Sequence, residues 1–446
     1  MPDCAAPNVV FVFADQMRAQ DVGFMGNDQI RTPNLNRTAE EGIVFTNAVS
    51  TCPVCTPYRA SLLTGRYPMS NGMVLNDVRL PTTERSIAHC FGDAGYQTAY
   101  IGKWHLDGHH RGGFTPPGPR RQGFDYWSVA NCTHDYMHSF YFRDDPQPIW
   151  IDGYDADHYT DLAVEYIREH HGKGPFSLFL SWAPPHDPYR WMPEEYLVYD
   201  PEALTLRPNA PDADRDELAG YYSHIAALDR CWGRITQALD ELGLAENTIL
   251  VFTSDHGDML GSQGQQKKQK PWDESIMVPF FLRYPAAAEG GMRLDTIVNT
   301  PDLMPTLLSL AGLPVPGTVE GTDLSGAVTG QPFDEQSSAF ISNPVPFCEP
   351  IPEWRGVRTK RHTYARKLDG PWLLYDNEAD PYQLTNLIDD PAHRALQDGL
   401  EAELEGWLAR LGDDFQPREV YWERFGYSVD EWFQMPYDNE VGEFPD

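Results

Sequence analysis

Four short runs along the 446-residue chain are almost unbroken in apolar character: Asn8–Ala14, Gln97–Ile101, Phe176–Trp182 and Thr248–Thr253. Each is rich in β-branched or aromatic residues and shows no polar face, the pattern of strands covered on both sides in a parallel sheet. Amphipathic stretches precede the last two runs, at Asp157–His171 and Arg215–Leu242, and predict helices. The alternation predicts the α/β class: a central, mostly parallel mixed sheet between helices. Beyond residue 335 the texture changes. Val357–Lys367 alternates as one strand would, Trp372–Tyr375 reads as another, and Ala392–Leu411 has helical spacing. The expected division is a large α/β domain over 1–335 and a smaller α+β domain with a short antiparallel sheet over 336–446. The acidic, aromatic stretch from Gly412 to Asp446 is expected to wrap over the body.

The residues just after each apolar run are chemically richer than the run itself. The first run ends in Asp15-Gln16 and the second in Lys103-Trp104-His105; the third leads to His186-Asp187 and the fourth to Asp255-His256-Gly257-Asp258. Open α/β sheets bind ligands beyond the carboxyl ends of their strands. These titratable groups are therefore expected on one rim.

Charge narrows the partners. The formal net charge is −32, from 34 Lys and Arg against 66 Asp and Glu. Such a surface repels phosphate backbones and anionic lipid, so neither nucleic acid nor a membrane is an expected partner. No apolar window is long enough to span a bilayer. An anionic substrate would need cations gathered locally, and the run Gln263–Lys270 concentrates three lysines. The first seven residues lack a basic and apolar signal, so the expected location is cytoplasmic, or periplasmic if a signal precedes this sequence. Seven scattered cysteines make no disulfide framework. Cys52-x-x-Cys55 on its own is open to a redox reading.

The residues after Cys55 take precedence over that reading. Cys55-Thr56-Pro57-Tyr58-Arg59-Ala60-Ser61-Leu62-Leu63-Thr64-Gly65-Arg66 predicts a helix, with Pro57 in its first turn and Gly65 as its cap. Cys55 would stand at the helix N-terminus, where free N–H groups and the macrodipole favour an anion. C-x-P-x-R followed by A-S-L-L-T-G resembles the modification motif of the formylglycine-dependent (type I) sulfatases, of the alkaline phosphatase-like superfamily. Asn8–Gln16, Gly102–His105, Pro185-His186, Ser254–Gly257, Pro301–Leu308 and Asp380–Leu387 are similar to blocks of that family in the same order. Tyr58, Gln16 and His256 depart from its commonest residues.

The resemblance implies hydrolysis of sulfate monoesters, of a sulfated carbohydrate or an aryl alcohol, through a covalent sulfo-formylglycine. It implies a maturase partner that oxidises Cys55, and a calcium ion (magnesium as the alternative) held by Asp15, Gln16, Asp255, His256 and the hydrated formylglycine at 55. Arg59 would orient that hydrate, and Lys103 and Lys268 would neutralise the sulfate. His186 would protonate the leaving group, and His105 would deprotonate the second hydroxyl to release sulfate. His109, His134 and Lys270 are candidate substrate contacts, Lys270 being the reserve for Lys268. Two other readings stay open: a phosphonate monoester or phosphodiester hydrolase with the same nucleophile, and an inactive sulfate-binding relative.

Overall fold

The computed structural model describes residues 6–444; Cys4 and the last two residues of the tail lie outside them. The main sheet has eight strands: β1 (Asn8–Asp15), β2 (Ile43–Val49), β3 (Gln97–Lys103), β4 (Tyr126–Ala130), β7 (Phe176–Pro185), β8 (Thr248–Ser254), β9 (Phe281–Arg283) and β10 (Met292–Asn299). Their order is β10-β2-β9-β8-β1-β7-β3-β4. The four apolar runs form the contiguous centre, β8-β1-β7-β3, where every pairing is parallel. Burial on both faces is why they read as unbroken apolar segments. The flanking strands carry weaker signals. β9 has only three residues and runs antiparallel to both neighbours, while the first half of β10 alternates between half-buried and exposed positions.

Helices cover both faces. Asp155–His170 and Arg215–Glu241 pack on one side, the latter capped by Asp214, whose carboxylate accepts from the N–H groups of Asp216 and Glu217. The helices Cys55–Thr64, Ile87–Asp93 and Leu303–Leu310 pack on the other. A two-stranded ribbon, β5 (Phe140–Tyr141) with β6 (Ile149–Trp150), stands near the edge strand β4. Among the described residues no helix is long and apolar enough to cross a membrane.

A second, antiparallel sheet comes next in simple order: β11 (Ser338–Asn343), β12 (Trp354–Thr359), β13 (His362–Lys367) and β14 (Gly370–Asp376). The single strand expected over Val357–Lys367 is in fact the hairpin of β12 and β13. Its turn has neither Gly nor Pro; Thr359 Oγ1 accepts from the N–H groups of Arg361 and His362 instead. The helix Arg394–Leu411 packs on one face of this sheet through Leu400, Leu404, Trp407 and Leu408. Its other face meets the main sheet through Ala339, Ile341 and Trp354 against Val49 and Ile297.

Candidate active site

Because β8, β1, β7 and β3 run parallel, their carboxyl ends open on one rim, and the polar residues beyond them are brought together there. Asp15 closes β1, Lys103 closes β3, and Asp255 comes directly after β8, which pairs with β1 up to Ala14 and Ser254. The helix Cys55–Thr64 delivers Cys55 as its first residue and is buried along its whole length. Its end is set by Gly65, whose φ of 65° and N–H bond to the Ser61 carbonyl terminate it as the sequence predicts. At its start, Thr56 N–H donates to Asn76 Oδ1 at 2.9 Å, a cap supplied from twenty residues away.

Asp15, Cys55, Asp255 and His256 place their ligand atoms within 4.8 Å of one another, all buried. The His256 Nδ1 sits 3.0 Å from the Gly257 carbonyl, which can only accept. The proton therefore belongs on Nδ1, and the Nε2 lone pair faces Asp15 Oδ1 at 3.6 Å and Asp255 Oδ1 at 3.5 Å. An array of acceptors turned on one point calls for a cation. Gln16 adds a further acceptor: its Nε2 donates to Asp258 Oδ2 at 2.7 Å, which leaves Oε1 buried without a partner. Two carboxylates and an imidazole make a donor set that fits a hard divalent ion.

Arg59, one turn along the helix, braces this set. Its Nη2 donates to Asp15 Oδ2 at 3.1 Å and Asp255 Oδ2 at 3.3 Å, and Nη1 to the Lys103 carbonyl at 2.7 Å and Ser181 Oγ at 2.8 Å. A further donor, Arg59 Nε, is buried without a partner. Burial and neighbouring Asp15 push Asp255 up. Burial and Cys55 act the same way on Asp15, but Lys103, His186 and Lys268 outweigh them and hold it far below the usual carboxylate range.

Two buried ammonium groups complete the inner site. Lys103 Nζ donates to Asp15 Oδ2 at 2.6 Å and lies 4.0 Å from Cys55 Sγ; Lys268 Nζ lies 3.0 Å from the same sulfur. Burial disfavours both charges, yet Asp15 for Lys103 and Cys55 for Lys268 keep each above the ordinary lysine value. In return they draw the Cys55 thiol well below its ordinary value despite burial. Lys270 is directed elsewhere. Its Nζ donates to the Gln266 carbonyl at 2.6 Å and pairs with Glu349, so the reserve lysine is not at the nucleophile. Replacing Lys268 by alanine is expected to lower kcat roughly a hundredfold, as loss of one preorganised donor does, whereas Lys270→Met should cost far less; steady-state rates on 4-nitrophenyl sulfate decide it.

The imidazoles divide. His186 Nε2 lies 2.9 Å from Lys268 Nζ, and its ring stacks on His134 at 4.1 Å. His134 Nε2 is 3.3 Å from Lys103 Nζ; burial and His186 pull its pKa down to about 4. His105 Nε2 bonds Asp77 Oδ1 at 3.0 Å, while its Nδ1 is buried without a partner. Burial would lower His105, but Cys132 and Asp77 prevail and raise it to about 10. His109 is exposed, its ring against His110. Asp77, Ser181 and Cys132 are not evident from the sequence, since each lies outside the motif that it supports. Cys52 and Cys55 are both free thiols, and burial raises Cys52, so nothing marks them as a redox pair.

A buried thiol position at a helix start, two lysines upon it and a hard-cation donor set on the rim of a parallel sheet define a hydrolase of anionic esters. The family model "Sulfatase" matches residues 7–313, and "N-sulphoglucosamine sulphohydrolase, C-terminal" matches 261–409. An ulvan-active sulfatase of Formosa agariphila is 43% identical over 94% of this chain and 84% of its own length. An endo-4-O-sulfatase of Bacteroides thetaiotaomicron is 30% identical, over 94% and 95%. A solved structure of a putative sulfatase from Bacteroides fragilis superposes with a TM-score of 0.85 at 31% identity, over 93% of this chain and 98% of that one. The chain belongs to the sulfatase family of the alkaline phosphatase-like superfamily, and it is a hydrolase of sulfate esters.

Proposed function

We propose that the substrate is a sulfated saccharide, cleaved at a formylglycine derived from Cys55 by a maturase, with calcium held by Asp15, Asp255, His256 and the amide oxygen of Gln16. The observation that carries the reading is the meeting of Lys103 Nζ and Lys268 Nζ on Cys55 Sγ, 4.0 and 3.0 Å away, beside that donor set. Cys55 Sγ stands where the oxygens of an aldehyde hydrate would lie. Bound there, the ion would polarise a sulfate oxygen and the hydrate would supply the nucleophile. The saccharide class rests on relatives named for ulvan and for endo-4-O-sulfatase activity.

The chain's own groups supply the rest. Lys103 and Lys268 face the oxygens on which charge grows, in a buried setting where such pairing is strong. His105, held by Asp77 on one nitrogen and with Nδ1 lacking a partner, would take the proton of the second hydroxyl once it has given up the proton that Cys132 and Asp77 stabilise on it. His186, its Nδ1 close to the Asp187 carbonyl, presents Nε2 beside the Lys268 ammonium, from which it would relay a proton to the departing alcohol. His186→Ala should therefore slow alkyl and sugar sulfates roughly a hundredfold and nitrophenyl sulfate much less, since a good leaving group needs no acid. Equal losses on both substrates would remove that role.

The competing phosphonate or phosphodiester reading is decided by rate. Wild-type kcat/KM should be higher on 4-nitrophenyl sulfate than on a phenyl phosphonate monoester, and the reverse order would overturn the sulfate ester as substrate of choice. A panel of ulvan oligosaccharides and D-glucosamine-2-N,6-O-disulfate tests the saccharide class.

A further inference from the structure

The tail from Gly412 onward takes no part in the machinery above, and both matched family models stop short of it, at 313 and 409. It nevertheless returns to the rim. After the helix Arg418–Phe425, the segment 437–444 runs beside residues 109–114. Arg111 N–H donates to the Asp438 carbonyl at 3.0 Å, and Asp438 N–H to that of His109 at 3.2 Å. Phe114 N–H donates to the Gly442 carbonyl at 2.8 Å, and Gly442 N–H to that of Gly112 at 3.1 Å. The approach is so close that a Cβ on Gly112 would lie 2.2 Å from the Glu440 carbonyl oxygen. Side chains secure it further: His110 Nδ1 meets Asp438 Oδ2 at 2.7 Å and its ring stacks on Phe444 at 4.0 Å. The Arg111 guanidinium lies 3.4 Å from the centre of the Tyr437 ring.

Docked in this way, the tail walls a cavity of 510 Å³, within the range of about 300–1,000 Å³ usual for small-molecule sites. Tyr437, Asn439 and Val441 form one side; His134, Asp135 and Trp150 lie on the body side. His134 ties the cavity to the nucleophile, since it touches Lys103 and stacks on His186. The walls suit a sugar. Trp150 is 60% and Tyr437 39% exposed, large aromatic faces of the kind that cover C–H surfaces. Asn439 and Asp135 carry amide and carboxylate groups able to meet hydroxyls.

We propose that Asn439 and Tyr437 of the tail, with Trp150 opposite, bind the saccharide ring that bears the sulfate and determine which sulfated sugar is accepted. The proposal rests on the saccharide reading above. Its test uses Asn439→Ala and Trp150→Ala, both at exposed positions, so the variants should melt with the wild type; Tyr437 is left intact because Arg111 beneath it also holds Asp77. For each variant, kcat/KM is measured on 4-nitrophenyl sulfate and on ulvan oligosaccharides. Desulfated ulvan oligosaccharides are titrated as competitive inhibitors of nitrophenyl sulfate turnover. Both variants should lose at least tenfold more on the oligosaccharides than on the aryl ester, chiefly through KM, with inhibition weakened in step. Equal losses on both substrates, or none on either, in a wild type that cleaves the oligosaccharides, would overturn the tail assignment alone. A wild type that cleaves nitrophenyl sulfate but neither ulvan oligosaccharides nor D-glucosamine-2-N,6-O-disulfate would overturn the saccharide reading, and the tail assignment with it.

Discussion

Cys55→Ala is expected to abolish turnover of every sulfate ester and to leave the fold intact. The side chain fills a buried position at a helix start, and alanine removes one sulfur from it without disturbing the Asn76 cap or the Gly65 terminus. What is lost is the group that both lysines and the cation-binding cluster face together. Covalent catalysis cannot be recovered by charge stabilisation alone, so the fall in kcat should be at least about four orders of magnitude. Thermal melting and circular dichroism should track the wild type. Cys55→Ser should be nearly as poor, because a single hydroxyl lacks the second one that His105 would deprotonate. Peptide mass spectrometry completes the test: in active protein, residue 55 should have exchanged its sulfur and two hydrogens for one oxygen. Activity in a sample whose residue 55 is wholly thiol would refute the mechanism at its source.

Asp255→Ala should cost nearly as much. Asp255 Oδ1 accepts from the N–H groups of Gln16 and His256 at 2.9 and 2.8 Å, and Oδ2 receives Arg59. Its removal takes a ligand from the cation, loosens Gln16 and His256, and leaves the Arg59 guanidinium with less counter-charge. Loss of several kcal/mol of charge stabilisation corresponds to a rate reduction of roughly a thousandfold. A second readout separates ion binding from chemistry. In chelated protein, added calcium should raise the melting temperature of the wild type, because binding only the native state stabilises it. Asp255→Ala should show little or none of that rise. A variant stabilised by calcium as strongly as the wild type would remove Asp255 from the ion's ligands.

The centre of the sheet was legible because burial on both faces leaves no polar face in β8, β1, β7 and β3, and the rim was legible because titratable residues end or follow those strands. The helix of Cys55 announced both of its ends. Legibility failed where position depends on contacts remote in sequence. The choice of Lys268 over Lys270 comes from the family resemblance and not from their chemistry; the irregular backbone around them, with φ of 57° at Lys267 and 79° at Gln269, turns Lys268 inward and Lys270 towards Glu349. Asp77 bears no mark of its own. It matters because His105 and Arg111, 28 and 34 residues away, both close upon it.

The docking of the tail also has a temporal meaning. Asp438 meets His110 across 328 residues, so this wall is supplied by a stretch far along the polypeptide from the body residues that it meets. A chain synthesised as far as Lys268 already holds every charged group of the inner site, but not the surface against which a sugar would rest. Contacts of such long range close late and at high entropic cost. Competence towards the small aryl ester should then emerge earlier in refolding than selectivity among saccharides.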